Sequence, residues 1–326
     1  MEKGKVLKLL IYFLAALLFA NLVLLIYFSL YSEPRGFLKA IFLDIGQGDA
    51  ILIKKGGKNI LIDAGPDKGI IYKLDKHLPF NKREIDLAIL THPDPDHLNG
   101  FLDVLENFKV KKIITNGGKD NSSAYLLFEK MLEEKGLEPL EVKAPLKINF
   151  EDDFFFDFFW PEETPQFPGD NNYFSLVFKM TFDKISFLFT GDATEETEKE
   201  LLQNYDLKAQ VLKVGHHGSK NSSSFEFLKA VEPQFAVISC GKNNRFGHPD
   251  SRVIEDLEKI GAQIFRTDKS GDIILETDGE LIKSTRSHSE IWLLISQKVS
   301  GVFRGETPDN LGGKRDRSIF RYHFSL

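Results

Sequence analysis

A short segment in the first third of the chain carries four potential metal ligands within six residues. It follows the apolar run IDLAILT and reads Thr91-His92-Pro93-Asp94-Pro95-Asp96-His97-Leu98-Asn99-Gly100. The two prolines restrict the backbone, and a rigid loop that converges imidazole and carboxylate groups suits a divalent metal. Imidazole suits zinc, iron or manganese, and the share of carboxylates favours zinc or manganese. The alternative, a polar turn in which Asp96 caps a helix, explains one aspartate and neither histidine.

Two later strand ends carry further potential ligands. Asp192 follows Thr190 and Gly191 after the apolar run ISFLF, where its two carboxylate oxygens can bridge two metals. A Gly-Asp turn after a strand is common, so alone it would not identify a metal ligand. Together with the ligand-rich segment 92–97 it indicates that Asp192 is one. His216 and His217 end the next apolar run, VLKV, in a chain with 8 histidines. Their alternative is a pair of exposed loop histidines.

The surrounding pattern predicts the elements that position these residues. Three strand-like runs at 37–44, 49–55 and 58–64 are separated by GQG and GG turns, which favours an antiparallel meander. Residues 85–91 form a continuous apolar run that is typical of a strand buried on both faces. The remaining strand signals fall in a second group, and helix-like segments flank each group. We therefore expect an α/β fold, an αββα four-layer sandwich.

These motifs, in this order, resemble the metallo-β-lactamase superfamily. The signature of that family is a His-x-His-x-Asp-His loop followed by His and Asp ligands from later strand ends. The variant HPDPDH stands here with FLDIGQGDAILI before it, NNYFSLVF and FLFTGD in the middle, and LKVGHHGS and NNRFGHP after it. This set is similar to the C-terminal hydrolase domain of ComEC-type competence proteins, over roughly residues 37–277.

The resemblance implies an αββα fold, two divalent ions (Zn²⁺ or Mn²⁺) and a nuclease-like role on DNA entering the cell. The implied ligands are His92 and Asp94 for one ion, Asp96 and His97 for the other, and Asp192 as the bridge. A histidine of the 216–217 pair completes the set. His217, beside a glycine, matches the family pattern better, and His216 is the alternative ligand or a group that supports a ligand or contacts the substrate.

Two features depart from the family pattern. Many relatives have a histidine before the second hairpin, where this chain has Asn171 and Asn172. Asparagine is a poorer zinc ligand, so we expect one ion to be held loosely or through water there. The full competence protein also has a large multi-span channel domain, whereas this chain shows one apolar span. The resemblance therefore supports the hydrolase chemistry and not DNA transport.

The hypothesis that follows is hydrolysis of a phosphodiester by water that two metals activate. Asp96 orients that water or accepts its proton, and His248 contacts a phosphate. Ser219, Asn244 and Asn172 are the expected substrate contacts. Two of these have a structural alternative: His248 as a loop residue beside proline, and Ser219 as part of the serine-rich N-cap of a following helix.

The loop 242–245, Lys-Asn-Asn-Arg, is basic and polar and is the expected phosphate-contact patch, with a solvated loop as its alternative. Asp44, Gln47, Asp49 and Asp63 lie on the first strands and turns. We interpret Asp63 as structural or as a support for a ligand, and the other three as structural.

The N-terminus predicts a membrane anchor. Residues 9–32 carry no charge, and as a helix they are about 36 Å long, enough for a hydrocarbon core of about 30 Å. Lys3, Lys5 and Lys8 precede the run, which predicts a single-pass protein with a cytosolic N-terminus and an exported catalytic domain. The alternatives are a cleaved signal peptide, whose apolar region is shorter, and a buried core helix.

The expected division is an anchor and linker at 1–36, a hydrolase domain at 37–279 and a tail at 280–326. The tail has 8 Lys/Arg and 5 Asp/Glu, and we expect it to be poorly ordered, with one short amphipathic helix within 289–303 as a further prediction. The net charge of −6 argues against a broadly basic nucleic-acid binder. Cys240 stands alone, which excludes an internal disulfide and a Cys-rich zinc site.

Three functions compete at the level of the sequence. The first is a phosphodiesterase or nuclease with DNA or another phosphodiester as its partner. The second is a hydrolase of the same fold that acts on a choline-phosphate ester, a lactone or a β-lactam. The third is a binding module without metals, which the complete set of candidate ligands argues against.

Overall fold

The computed structural model describes residues 2–31, 36–79, 82–165, 169–286 and 320–323. Strands and helices are numbered along the chain. Most strands belong to two eight-stranded sheets. A small parallel pair, β4 (Glu84–Ile85) with β6 (Lys109–Val110), lies apart from both sheets.

The first sheet combines an antiparallel and a parallel half. Its strands are β1 (Leu38–Phe42), β2 (Ala50–Lys55), β3 (Lys58–Ala64), β5 (Leu87–Leu90), β7 (Ile113–Thr115), β8 (Leu140–Glu141), β16 (Ile273–Thr277) and β17 (Ile282–Arg286). Their spatial order is β17-β16-β1-β2-β3-β5-β7-β8. The meander β1-β2-β3 is antiparallel, which confirms the prediction, and β3, β5, β7 and β8 are parallel.

The second sheet has the same mixed character. Its strands are β9 (Leu146–Glu151), β10 (Phe154–Trp160), β11 (Val177–Phe182), β12 (Ile185–Phe189), β13 (Val211–Lys213), β14 (Phe235–Ile238), β15 (Gln263–Arg266) and β18 (Phe320–His323). The spatial order is β15-β14-β13-β12-β11-β10-β9-β18. Strands β12 to β15 are parallel, so their carboxyl ends lie at one edge of the sheet.

Helices cover the outer face of each sheet. The helices of the described residues are α1 (Glu2–Tyr31), which packs on neither sheet, α2 (Gly69–His77), α3 (Pro95–Asn107), α4 (Ser123–Glu134), α5 (Glu195–Asn204), α6 (Phe225–Val231), α7 (Ser251–Lys259) and α8 (Thr267–Ser270), with a 3-10 turn at Gly215–Gly218. Residues of α2, α3 and α4 form one apolar cluster with the first sheet. Residues of α5, α6 and α7 form another with the second sheet. The expected αββα sandwich is confirmed.

Phenylalanine fills the space between the sheets. Along β10, Phe154, Phe156 and Phe158 alternate with residues of the other face and are buried in the central cluster, as the period of a strand requires. Phe178 stacks on Phe158 with ring centroids 4.9 Å apart and on Phe189 at 5.1 Å. Ten phenylalanines are thus buried in this core.

Helix α1 is the one helix, among the residues described, that is long and apolar enough to span a membrane. The span Gly4–Leu24 has 21 residues, a mean hydropathy of 2.3 and no buried residue. Its polar Asn21 donates its side-chain amide to the carbonyl oxygen of Leu17 (2.9 Å), which satisfies that group within the helix.

The tail differs in part from the expectation of poor order. Strand β17 continues the first sheet beyond residue 279 by pairing with β16. Strand β18 lies parallel to β9 at the edge of the second sheet. The amphipathic helix expected within 289–303 lies outside the described residues.

Asp272, at the start of β16, ties helix α2 to the loop after β1. Its buried carboxylate accepts hydrogen bonds from Nζ of Lys73 (2.7 Å) and of Lys76 (3.0 Å), and it contacts Nε2 of His77 (3.1 Å). The backbone N–H of Asp44 also donates to it (3.0 Å). Burial opposes ionisation, but these four partners hold the pKa of Asp272 well below its ordinary value. The loop 43–49 is thereby fixed.

We expect Asp272→Asn to lower the free energy of unfolding of the full chain by about 1–3 kcal/mol at pH 7, because it removes the buried carboxylate charge that pairs with Lys73 and Lys76. The pKa of Asp272 is lowered by folding, so its contribution is present above the unfolded-state pKa of about 4 and is lost as the pH falls below it. Urea unfolding between pH 2 and 7 measures both effects, with a shallower acid limb in the variant.

Asp75→Asn is the matched control. Asp75 pairs with Arg83 at the surface, so its loss costs less than about 1 kcal/mol and leaves the acid limb unchanged. Equal effects of the two substitutions would contradict the role given to Asp272.

Candidate metal centre

The ends of strands from both sheets converge on one buried cluster of histidines and aspartates. His92 follows β5, and Asp96 and His97 lie in the first turn of α3. Asp192 follows β12, and His217 lies in the 3-10 turn after β13. Parallel strands end at the same edge, which is why residues about 120 positions apart in the sequence meet here.

Asp192 lies between the two halves of the cluster. Its Oδ1 is 3.3 Å from Nε2 of His97, and its Oδ2 is 3.4 Å from Nε2 of His217. Nε2 of His217 is also 3.3 Å from Oδ2 of Asp96. The rings of His92 and His97 are 4.2 Å apart. His92, His97 and Asp192 form one group of possible metal ligands, and Asp96, His97 and His217 form another.

Each buried histidine is oriented through its Nδ1 atom. Nδ1 of His97 is 2.8 Å from Oδ2 of Asp63, and Nδ1 of His217 is 3.0 Å from the carbonyl oxygen of Ser239. Nδ1 of His92 is 3.0 Å from Oγ1 of Thr91. Such contacts fix the tautomer and the ring orientation of metal-binding histidines.

The opposite ring atoms make no hydrogen bond with any other described residue. Nε2 of His92, His97 and His217 and Oδ1 of Asp192 are buried without a hydrogen bond. Buried polar atoms are rarely left unsatisfied, and here they point at one another from three elements. Imidazole nitrogens and carboxylate oxygens in such an arrangement are a donor set for zinc or manganese. The residues present therefore fit a divalent metal.

Asp94 and Asp96 occupy the solvent side of the cluster, each about one-third exposed. Asp94 is the N-cap residue of α3, although its side chain caps no N–H group. Its Oδ2 is 3.7 Å from Nε2 of His92, and its Oδ1 accepts a hydrogen bond from Asn171 (2.7 Å). The alternative in which Asp96 caps the helix does not occur.

Asn171 and Asn172 make different contacts. Asn171 donates its side-chain amide to Asp94, as described, and so supports a candidate ligand. The backbone N–H of Asn172 donates to Asp170 (3.0 Å), and the side-chain oxygen of Asn172 is buried without a partner. The sequence alone did not distinguish these two positions.

Asp49 lies in contact with the cluster. It is buried, its Oδ2 is 2.7 Å from Nζ of Lys213, and its Oδ1 is 3.4 Å from Nδ1 of His217. Its backbone N–H donates to the carbonyl oxygen of Asp96 (3.2 Å). A Cβ atom on Gly48 would lie 2.2 Å from that same oxygen, so glycine is required for this close approach. The GQGD turn was the sequence signal for this contact.

His216 and His217 both have left-handed backbone conformations, with φ of 47° and 55°. This is uncommon outside glycine and is often found at functional sites. The ring of His216 is 25% exposed, and its Nε2 is 3.7 Å from Oδ2 of Asp192. Both histidines therefore face Asp192, His217 from inside the protein and His216 from the solvent side.

The charges of the cluster shift its ionisation equilibria. Burial disfavours the charged forms, but Asp192 and Asp63 hold the pKa of His97 well above its ordinary value. Asp192 and Asp49 do the same for His217. In turn, His217 and His97 hold the pKa of Asp192 well below its ordinary value. Protonated His97 and His217 thus neutralise the neighbouring carboxylates when no metal ion is bound.

The loop 241–249 forms the rim beside His216 and His217. The ring of His248 is 5.7 Å from that of His216 and 6.3 Å from that of His217. Burial and these two neighbours lower the pKa of His248. His248 therefore lies beside the cluster, and the phosphate contact expected of it stays a prediction.

Two expected substrate contacts are engaged within the protein. Asn244 donates to the carbonyl oxygens of Gly241 (3.0 Å) and His248 (2.6 Å) and accepts from the N–H groups of Phe246 and His248. Its amide is saturated, so it shapes the loop and is not free to contact a substrate, contrary to expectation. Ser219 is buried, and its hydroxyl accepts a weak bond from the N–H of Asn221 (3.3 Å).

Comparison with known proteins agrees with this geometry. The profile of the metallo-beta-lactamase superfamily matches residues 43–242. ComE operon protein 3 of Bacillus subtilis is 32% identical over 250 residues, which are 71% of this chain and 32% of that protein. Competence protein ComA of Neisseria gonorrhoeae is 31% identical over 240 residues, 70% of this chain and 30% of that protein. The resemblance expected from the sequence is confirmed.

The solved structure of the metallo-beta-lactamase fold protein YhfI from Bacillus subtilis superposes with a TM-score of 0.52 and 12% identity, covering 74% of this chain and 99% of that one. This likeness supports the fold. The match to the two competence proteins spans about a third of their length.

The buried ion pair of Lys213 with Asp49 can be tested by substitution. We expect Lys213→Met to lower the free energy of unfolding by about 3–5 kcal/mol, because Asp49 is left buried without its cation. The double variant Lys213→Met/Asp49→Asn recovers most of this loss. Urea unfolding of the full chain in detergent and EDTA measures both.

Lys208→Met is the control, since the exposed pair Lys208–Glu232 is worth less than about 1 kcal/mol. A double variant as unstable as Lys213→Met alone would show that Lys213 acts through packing and not through its charge.

Proposed function

The chain belongs to the metallo-β-lactamase superfamily, and from that premise we propose that it is a metal-dependent hydrolase of phosphodiester bonds. The observation that carries the proposal is the convergence of unpartnered Nε2 atoms of His92, His97 and His217 on the carboxylate of Asp192. A binding module would not require this donor set.

The charge of the cluster supports two divalent ions. Five carboxylates surround the site, those of Asp49, Asp63, Asp94, Asp96 and Asp192. Lys213 neutralises one of them through its ion pair with Asp49. Four negative charges remain, which equals the charge of two divalent cations. Zn²⁺ and Mn²⁺ are the ions that this mixture of imidazole and carboxylate suits.

We propose the ligands from their positions. His92, His97 and Asp192 lie together, with Asp94 on the solvent side. Asp96 and His217 lie on the other side of Asp192, with His216 beside them. His97 belongs to both groups of possible ligands, with His92 and Asp192 on one side and, as the resemblance implied, with Asp96 on the other. Asp192 contacts both groups and is the proposed bridge.

When bound, such ions lower the pKa of water and neutralise charge on phosphate oxygens. The residues of the chain do the rest. Asp96, partly exposed and 3.3 Å from Nε2 of His217, orients the attacking water and takes its proton at Oδ2. His248, on the rim, donates a hydrogen bond to a phosphate oxygen. Asn171 keeps Asp94 in place, and Ser219 and Asn172 remain proposed substrate contacts.

DNA is the proposed substrate. One relative is named a competence protein, and another, from Haemophilus influenzae, is named recombination protein 2, which suggests the handling of DNA. The exposed cations Lys242 and Arg245 beside His248 supply phosphate contacts in a chain of net charge −6. The similarity covers a third of those proteins, so we propose the hydrolytic step alone.

We also propose that α1 anchors the protein in a membrane as a single pass. Lys3, Lys5 and Lys8 precede the apolar residues, which places the N-terminus in the cytosol and the catalytic domain on the other side. A substrate outside the cytosol follows from this orientation.

The test is hydrolysis by the full chain in detergent. We expect cleavage of bis-p-nitrophenyl phosphate and of linear single- or double-stranded DNA with Mn²⁺ or Zn²⁺, and none with EDTA. Asp96→Ala should lower kcat by about 10²- to 10⁴-fold, the range for loss of a general base. Metal content is measured on the same samples.

Asp103→Ala, two turns along the same helix, is the matched control and should leave kcat unchanged. Cleavage of the small diester without DNA cleavage would restrict the proposal to small phosphodiesters. Hydrolysis of a lactone or β-lactam without any diester cleavage would overturn it.

A further inference from the structure

Phe246 lies at the tip of the loop 241–249 with its ring in solvent. Most described phenylalanines are buried between or behind the sheets, whereas Phe246 is 54% exposed. A single exposed apolar side chain is ordinary. Its position is not, because the loop forms the rim of the candidate metal centre.

A series of ring contacts leads from this residue to the centre. The ring of Phe246 stacks on that of His248, with centroids 5.6 Å apart and planes at 23°. The ring of His248 in turn stacks on that of His217 at 6.3 Å and 30°. Phe246 is therefore two ring contacts away from a proposed metal ligand.

The loop is built to hold this position. The saturated amide of Asn244 fixes the backbone on both sides of Phe246. At the base of the loop, the N–H of Gly241 donates to Oε1 of Gln47 (3.1 Å). A Cβ atom on Gly241 would lie 2.8 Å from the backbone nitrogen of Gln47, so the two loops are in close contact. The exposed ring is thus presented by an ordered segment.

The charge around the ring is positive. Arg245 and Lys242 are exposed on the same loop, and the guanidinium carbon of Arg245 is 4.9 Å from the centre of the Phe246 ring. An exposed aromatic face beside cations is the combination by which proteins bind single-stranded nucleic acids: bases stack on the ring, and the cations attract the phosphates.

We propose that Phe246 is a base-stacking residue that binds an unpaired nucleobase of a single-stranded nucleic acid, next to the phosphate that is cleaved. The inference rests on the proposed function and deepens it. A base on Phe246 brings its own phosphate, one sugar away, to His248 and the cluster. Bases in a duplex are stacked on each other and do not reach the ring, so the residue selects single strands.

The test compares oligothymidylate with an abasic oligonucleotide of the same length. Binding of both to the full chain in detergent is measured by fluorescence anisotropy in an Asp96→Ala background, so that the strands survive. We expect the base-bearing strand to bind about tenfold more tightly. Phe246→Leu should remove this difference and Phe246→Trp should keep it. Tyr72→Leu, which removes a ring 73% exposed on α2, is the control and should change nothing.

A Phe246→Leu variant that weakens both strands equally would assign the ring to supporting His248 and overturn the inference. An unchanged preference for the base-bearing strand would do the same.

Cleavage of bis-p-nitrophenyl phosphate is followed in parallel with native Asp96. If no diester is cleaved but the base preference depends on Phe246, the proposed function fails and the stacking site stands. If the diester is cleaved but the base preference does not depend on Phe246, the stacking site fails and the proposed function stands.

Discussion

The excess of negative charge in a largely buried space is the constraint on which this structure depends. Aspartates from three strand ends and one helix terminus meet where water solvates them poorly. Burying one unpaired carboxylate is costly, and several together demand cations. The described residues supply one lysine, Lys213, as a counter-charge, and imidazoles whose Nε2 atoms face the same space. The proposed pair of divalent ions would complete the balance without any further charged side chain.

The rest of the fold keeps these groups at their distances. The Phe-rich layer between the sheets fixes the strand ends. The ion cluster at Asp272 anchors the loop that carries Asp49. The carboxylate of Glu198 accepts the N–H groups of Ser223 and Ser224, and so fixes the segment that follows His217. Each contact lies outside the cluster, yet each restricts a backbone segment that enters it.

The sequence predicts the sandwich and the cluster well because both depend on local patterns. Apolar runs that end in HPDPDH, GD and GHH place ligands at strand ends, and parallel strands bring those ends together. It predicts less where a role depends on a partner far along the chain. Asp49 was interpreted as structural because its contact with Lys213 spans 164 positions, from 49 to 213. Asn171 and Asn172 cannot be told apart until the loop is folded. Strand β17 was missed because its sequence, IKSTR, is polar and pairs only at a sheet edge.

Anomalous X-ray diffraction from crystals of the full chain grown with Mn²⁺ would locate the proposed ions directly. We expect two strong peaks on either side of Asp192, one near His92 and His97 and the other near Asp96 and His217. A single peak beside Asp192 would show one divalent ion, which would neutralise only half of the four negative charges. The absence of any peak in the cluster, with Mn²⁺ and likewise with Zn²⁺, would contradict the two-ion centre and leave protonated histidines as the counter-charge of these buried aspartates.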